Sequence, residues 1–305
     1  MSTPEMAHGA PGAPGREPDA RPGPRSAEPF AAPSVVYVYG IGRDDEGARR
    51  LVRRVRGVDG HAVELVAAGG LVALVSVVPG EVFDEAALRR QLEDLTRLEE
   101  IARSHHAVVD AAFAESVVLP LRLATVYLDE GRVADMLAGH LAHFTELLAW
   151  LDGHVELGVK VHADPEAMTA AGGPTEEATA PAPATSPGRA YLQQRRQHRR
   201  STEELYRSAG VVAAEVTKVA QERARATVAH RPQQGELSGR RGVNISNHAY
   251  LVPMGTEERF REDVEAVARA VPGVRVEVTG PWAPYSFATP SMADGESVAD
   301  GGVSR

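Results

Sequence analysis

The sequence contains no cysteine. That absence excludes a disulfide scaffold, a thiolate zinc or iron–sulfur centre and a cysteine nucleophile. Long apolar runs are missing too: the longest, around Leu71 to Pro79, falls far short of the ~20 residues that cross a bilayer, so no transmembrane helix is expected. Residues 1–33 lack the apolar centre of a secretory signal, which makes a cytoplasmic location the expectation. Basic residues are outnumbered, 33 Lys and Arg against 42 Asp and Glu, for a net charge of -9. A chain of that balance has no broad basic face to neutralise phosphates, so neither nucleic acid nor membrane is an expected partner. Aromatic residues make up only 5% of the chain, and any cluster of them is therefore informative.

What is present is the composition of a folded soluble protein, 43% hydrophobic and 25% charged over 305 residues, a length that predicts about two domains. Pro4, Pro11, Pro14, Pro18, Pro22, Pro24, Pro29 and Pro33 sit among Gly and charged residues, and residues 1–33 read as a disordered tail. Asp164 to Pro187 has no helical or strand period, so a flexible loop is expected at about 165–187. Residues 289–305 are small and polar and read as a second disordered tail.

Between the tails the pattern is mixed. Val35 to Ile41 predicts a strand, Gly40 and Gly42 a turn, and Asp44 and Asp45 a helix start. Ala62 to Val66 and Leu71 to Val78 flank Gly69-Gly70 as a hairpin would. Asp84 opens a helical region, one helix or two in series, with Leu88, Leu92, Leu95, Leu98, Ala102, His105, Val109 and Ala112 on one face. Val117 to Leu128 reads as a strand interrupted at Pro120, and Val133 to Leu151 as helix. In Val155 to His162 the apolar residues alternate as in a half-buried strand. A long helix is predicted over roughly Arg189 to Val228, then a strand at Asn247 to Val252, a helix from Thr256 and a last strand at Val274 to Val278. That β, α, β, α, β order fits a ferredoxin-like sheet missing or altering one strand. Val35 to Val63 and Ala249 to Val276 echo each other weakly, which the generic grammar of a βαβ corner accounts for.

Candidate chemistry is thin. Gly40, Gly42 and Gly47 follow a strand, but at G-x-G-x4-G spacing and beside Asp44, Asp45 and Glu46, whose charge would repel a phosphate; acidic helix capping is the better reading. His105 and His106 are neighbours and point about 100 degrees apart on a helix. His140 and His143 stand at i and i+3 without a partner carboxylate, so no metal site is assigned. No nucleophile has an evident activating base, and no catalytic, cofactor-binding or metal residue is assigned. The basic cluster Arg195, Arg196, His198, Arg199 and Arg200 reads as a solvated helix face, with an acidic protein as the next reading. Arg122 and Lys160 lie in apolar strands and read as snorkelling or paired residues.

Several segments together carry a resemblance: VYVYGI at 36–41, VLPLRLATVY at 118–127, ELGVKV at 156–161, GRAYL at 188–192 and above all TGPWAPYSF at 279–287. In this order and spacing, over residues 35–287, the chain resembles the gas vesicle protein family GvpL/GvpF. It departs from that pattern at Leu123 and Ala124, where such proteins often have Phe and Gly. The resemblance implies an α+β protein of two domains, residues 34–153 and 154–288, the second a modified ferredoxin-like fold. It implies no enzymatic activity and no cofactor. The implied role is that of a minor gas vesicle protein needed for assembly, whose partners are the major gas vesicle shell protein and other accessory proteins. The alternative is a ferredoxin-like module that binds a small ligand or regulates without catalysis. For the Gly280 to Phe287 segment, the two prolines predict departure from the sheet, with Trp282, Tyr285 and Phe287 docked on a nearby surface; an exposed aromatic hook is the other reading.

Overall fold

The computed structural model describes residues 34–171, 187–232 and 242–288. The expected tails, 1–33 and 289–305, lie outside the described residues, as do residues 172–186 of the expected loop.

The chain begins with β1 (Ser34–Arg43), α1 (Glu46–Leu51), β2 (Glu64–Ala68) and β3 (Leu71–Pro79). Asp45 caps α1 by accepting from the Ala48 N–H at 2.8 Å, the acidic capping that the sequence indicates. Gly40 and Gly42, expected in a turn, lie within β1 instead. A Cβ on Gly40 would come within 2.9 Å of the Leu119 carbonyl oxygen, so its glycine serves the close approach of a neighbouring strand. A bulge between Val38 and Gly40 swings the alternation over, leaving Ile41 on the same face as Val36 and Val38. The β2–β3 hairpin closes on Gly69 and Gly70, with φ of 61° and 86°, the pair of positive values that a two-residue turn of the right twist requires.

Next come α2 (Gly80–Phe83), α3 (Glu85–Glu93) and α4 (Leu95–Glu115), then β4 (Val118–Pro120) and β5 (Val126–Tyr127). The helical region after Asp84 is thus two main helices in series. They divide at Asp94, whose carboxylate caps α4 through Thr96 N–H at 2.9 Å. Leu95 is exposed, not on the buried face, because it sits at the first position of the new helix. A pair of short helices follows, α5 (Glu130–Gly139) and α6 (Leu141–Leu151), broken at His140.

The second half contains β6 (His154–Ala163), α7 (Pro165–Ala171), α8 (Pro187–Gln221), β7 (Ala226–His230), β8 (Val243–Pro253), α9 (Glu257–Ala268), β9 (Val274–Trp282) and α10 (Tyr285–Ala288). Three differences from expectation stand out. Residues 165–171, read as the start of a loop, are helical and capped by Asp164. The long helix stops at Gln221, and Ala226–His230 forms a strand against β8. The last strand runs on through Gly280 and Pro281 to Trp282, paired with Glu156. It tolerates proline because β9 lies at the sheet edge, where a missing N–H breaks no central ladder.

The first sheet has the order β2-β3-β1-β4, with β5 also on β1; the second has β7-β8-β6-β9, and every pairing is antiparallel. Each sheet is therefore wound the same way. Numbering its strands within each half gives 2-3-1-4, with a helix between the first two strands and helical chain between the last two. The sequence echo aligns β1 with β8, whereas the topology aligns β1 with β6. Both echoed segments carry a Gly-Val pair that reads as the entry to a strand; Gly57-Val58 enters a 3-10 turn, while Gly273-Val274 does enter β9.

Packing follows from these faces. Tyr37, Tyr39 and Leu74 pack with Leu51 of α1 and Ile101, Val108 and Val109 of α4. Val155, Leu157, Val159 and Val161 of β6, alternating as predicted, pack with Leu205, Ala209 and Val216 of α8 and Phe260 and Val264 of α9. A third cluster joins the other faces of both sheets: Val36, Val38 and Ile41 with Leu137, Leu148 and Leu151 of α5 and α6, and with Ala249, Leu251 and Phe287.

Candidate functional site

The amphipathic helix α4 has two working faces. Ile101, His105, Val108, Val109 and Ala112 are buried against the first sheet. Arg103, His106, Ala107 and Asp110, at i, i+3, i+4 and i+7, form a second stripe. That stripe lines a cleft of about 730 Å³, with Trp282 and Tyr285 on the other side and Glu156 of β6 also lining it.

Glu156 is held where β6 and the turn after β9 meet. Its two carboxylate oxygens accept from the Ser286 N–H and the Ser286 hydroxyl, each at 2.7 Å. Burial pushes its carboxyl above the usual carboxylate range, and the Ser286 donors act in the opposite direction. The His230 ring lies 3.0 Å from the Ser286 hydroxyl. Because that hydroxyl donates to Glu156, its oxygen faces His230 as an acceptor. The arrangement locks the turn in place; a serine nucleophile would have to donate to the imidazole instead.

Tyr285 bridges to α4: its hydroxyl is 2.8 Å from His106 Nδ1, and the rings meet edge to face at 5.0 Å. Burial, then the nearby Asp110 carboxylate, pushes the Tyr285 hydroxyl up. The preceding residue, His105, is fully enclosed, 3.1 Å from the Tyr37 hydroxyl. Burial lowers its pKa to about 4, so the imidazole is neutral. Tyr37 itself accepts from the Ala124 N–H at 3.1 Å. Tyr39 accepts from the Val58 N–H and donates to Ser76, both at 2.9 Å. Gly57 is required there, since a Cβ would fall 1.9 Å from the Tyr39 hydroxyl.

The two histidines of α4 thus part company, as helical geometry demands: His105 enters the core and His106 reaches the cleft. His140 and His143 both flank the Phe144 ring, at 5.7 and 5.9 Å. Among the described residues no three His, Asp or Glu side chains converge as metal ligands would. Arg195, Arg196, His198, Arg199 and Arg200 are exposed on α8, with Arg199 paired to Glu203 at 3.3 Å. Arg122 is exposed, and its carbonyl accepts from Thr125. Lys160 lies opposite Asn247 and Glu277 in the sheet.

The aromatic segment is divided in its roles. Phe287 is buried against Trp150, ring centroids 6.2 Å apart, and Ala283 is enclosed in the cluster beneath Tyr37. Trp282, expected in a core, is 49% exposed. Prolongation of the edge strand to position 282 carries the indole past the packed layer and leaves it at the cleft. Glu156, Asp110 and His106 were not singled out as a site by sequence. Only Glu156 carried a signal, as a charge within the apolar alternation of β6, between Val155 and Leu157.

Comparison with known proteins places these features in context. Residues 35–289 match the family model described as gas vesicle synthesis protein GvpL/GvpF. The chain is 41% identical over 254 residues to gas vesicle protein L of Streptomyces sp. (strain CB03234), covering 83% of this chain and 92% of that protein. It is 28% identical over 262 residues to gas vesicle protein F of the same organism, covering 83% and 98%. In structure it resembles the crystal structures of GvpF from Anabaena sp. PCC7120 and GvpF from Microcystis aeruginosa, with TM-scores of 0.58 and 0.54, each at 21% identity. These alignments cover 87% and 84% of this chain and 100% and 99% of the respective structures.

Proposed function

Because the chain belongs to the GvpL/GvpF family of gas vesicle synthesis proteins, we propose that it is a minor gas vesicle protein required for vesicle assembly, and that it binds the major shell subunit without catalysing a reaction. The observation that carries this reading is the extent of the match, residues 35–289, which takes in every described strand of both sheets. The geometry supports a binding role. The described polar clusters around Glu156 and Tyr39 are closed by hydrogen bonds to the chain itself, while the cleft beside α4 presents aromatic and charged groups outward. In this reading the protein acts in the cytoplasm at the growing vesicle, alongside other accessory proteins.

The same proposal includes two domains, 34–153 and 154–288. The order of β6, α8, β7, β8, α9 and β9, with the sheet arranged β7-β8-β6-β9, supports a ferredoxin-like reading of the second. The strand β7 supplies the member that the sequence pattern lacks.

Deletion of the gene in a vesicle-forming cluster, followed by buoyancy measurement and by affinity capture with the other vesicle proteins, tests the role. Loss of vesicles together with capture of the shell subunit is expected. Normal buoyant vesicles, with no vesicle protein captured, would sink it.

A further inference from the structure

The cleft beside α4 has an unbalanced chemistry. Arg103 is paired to Glu99 along the helix, whereas Asp110 has no ion pair shown among the described residues; Glu156 accepts from Ser286, with the His230 ring acting on it from behind that hydroxyl. Two acidic groups thus share the cleft with Trp282 and Tyr285. A neutral guest would leave the Asp110 carboxylate desolvated without compensation, and an anionic one would be repelled by both acidic groups. A cation is attracted twice, by the carboxylates and by the negative face of the indole.

The molecule itself shows what its tryptophans accept. Trp150, the other of the two, carries the Arg225 guanidinium 5.6 Å from its ring centroid. Trp282 has no such cation over it among the described residues and is half exposed. Its position is fixed by the β6–β9 pairing with Glu156, so the indole and the carboxylate are presented together on a rigid edge.

We propose that this cleft is the docking site for an arginine or lysine side chain of the vesicle shell subunit, seated on Trp282 and between Asp110 and Glu156. The inference rests on the functional reading above and names the surface that reading leaves open. Aromatic and carboxylate groups converging on one cation form the kind of desolvated centre that dominates an interface. The competing occupant is a second copy of this chain, whose exposed Arg195, Arg196, Arg199 and Arg200 offer the same charge.

The test uses the full-length chain with Trp282→Ala and Asp110→Asn, both at exposed positions, after unfolding midpoints show that each variant is folded. Wild type is expected to bind the purified shell subunit with an affinity that falls roughly tenfold in Trp282→Ala and severalfold in Asp110→Asn, and that weakens with added salt. In a parallel titration, N-acetyl-argininamide is expected to shift the Trp282 indole N–H resonance, whereas the uncharged citrulline analogue leaves it unmoved. Unchanged shell binding in both variants overturns the docking site and leaves the proposed function standing. If wild type fails to bind the shell subunit at all, the functional reading itself falls. Self-association abolished by Trp282→Ala, without any effect on shell binding, overturns the inference in favour of the second copy.

Discussion

Burial sets the chemistry of single residues in this protein, and His105 is the clearest case. Its enclosure under Tyr37 and Tyr39, with the neighbouring His106 adding to the effect, lowers its pKa from 6.5 to about 4. In the unfolded chain the imidazole takes up a proton near the ordinary value, and in the folded chain it does not. Stability from this group is therefore complete above the unfolded pKa and is lost as pH falls from there toward about 4. Near pH 5 the loss should be about 2 kcal/mol. Urea unfolding near pH 7 and near pH 5 measures it; the pH-dependent difference should shrink in His105→Gln, and an equal difference in both proteins would refute the assignment. Ala124 is a second case. It adopts φ of 64°, a left-handed conformation that costs an alanine roughly 1–2 kcal/mol. A glycine there would be free of that strain, and its greater entropy in the unfolded chain offsets only ~0.5–1 kcal/mol of the gain. Ala124→Gly should therefore raise the unfolding midpoint by the equivalent of up to ~1 kcal/mol, and a lower midpoint would contradict the strain argument. Trp282 and Phe287, two aromatics five positions apart, should respond oppositely. Trp282→Ala is expected to cost less than ~1 kcal/mol, because half of the side chain already faces water. Phe287→Ala should cost ~3–5 kcal/mol through the cavity it leaves beside Trp150. Equal costs from chemical denaturation would show that the exposed position of Trp282 is wrong.

Among the elements, boundaries were legible where a side chain fixes its own backbone. Asp45 and Asp84, the helix starts marked in the sequence, each cap a helix by accepting from an N–H three residues on; Asp94 does the same for Thr96 at a division the sequence left open. Replacing Asp94 by Ala should destabilise α4 by about 1 kcal/mol, read as a drop in thermal midpoint; α4 carries the cleft stripe, so its first turn should also gain hydrogen-exchange rate. Gly69-Gly70 announced its turn for a similar local reason. The strand β7 did not announce itself. Ala226 to His230 continues an Ala- and Arg-rich run that suits a helix, and only the ladder with Leu251, Tyr250, Ala249, His248 and Asn247 makes it extended. The end of β9 departs from the sequence expectation for the converse reason. Two prolines argue against a central strand, but at an edge the lost donor has no partner to miss. Arg261 of α9 then ties down its outer run by donating to the carbonyls of Val278, at 2.9 Å, and Gly280.

At the scale of the whole molecule, the segment after β9 serves both halves at once. Ala283 enters the core under the first sheet, Phe287 the cluster shared by both sheets, and Ser286 closes on Glu156 of β6. A chain ending at Thr279 is expected to lose cooperative unfolding and to bind a hydrophobic dye, because the apolar faces of Ala249 and Leu251 lose their cover. A single sharp transition without dye binding in that truncated chain would show that the segment is dispensable. The repeated 2-3-1-4 winding of the two sheets also belongs to this scale. It left almost no trace in residue identities, since strand order depends on which faces meet and not on any motif. By itself the sequence determined the mixed α and β class, the helix starts at capping aspartates, the alternation of β6 and the family, because these rest on local periodicity, on short-range hydrogen bonds and on residues in fixed order. The tertiary structure alone decided that the His105 ring meets Tyr37 and Tyr39, that Trp282 stands at a cleft with Asp110 and Glu156, and that Ala226–His230 is a strand. Each of these depends on contacts between segments far apart in the chain, whose burial and pairing energies exceed the small local preferences that a sequence displays.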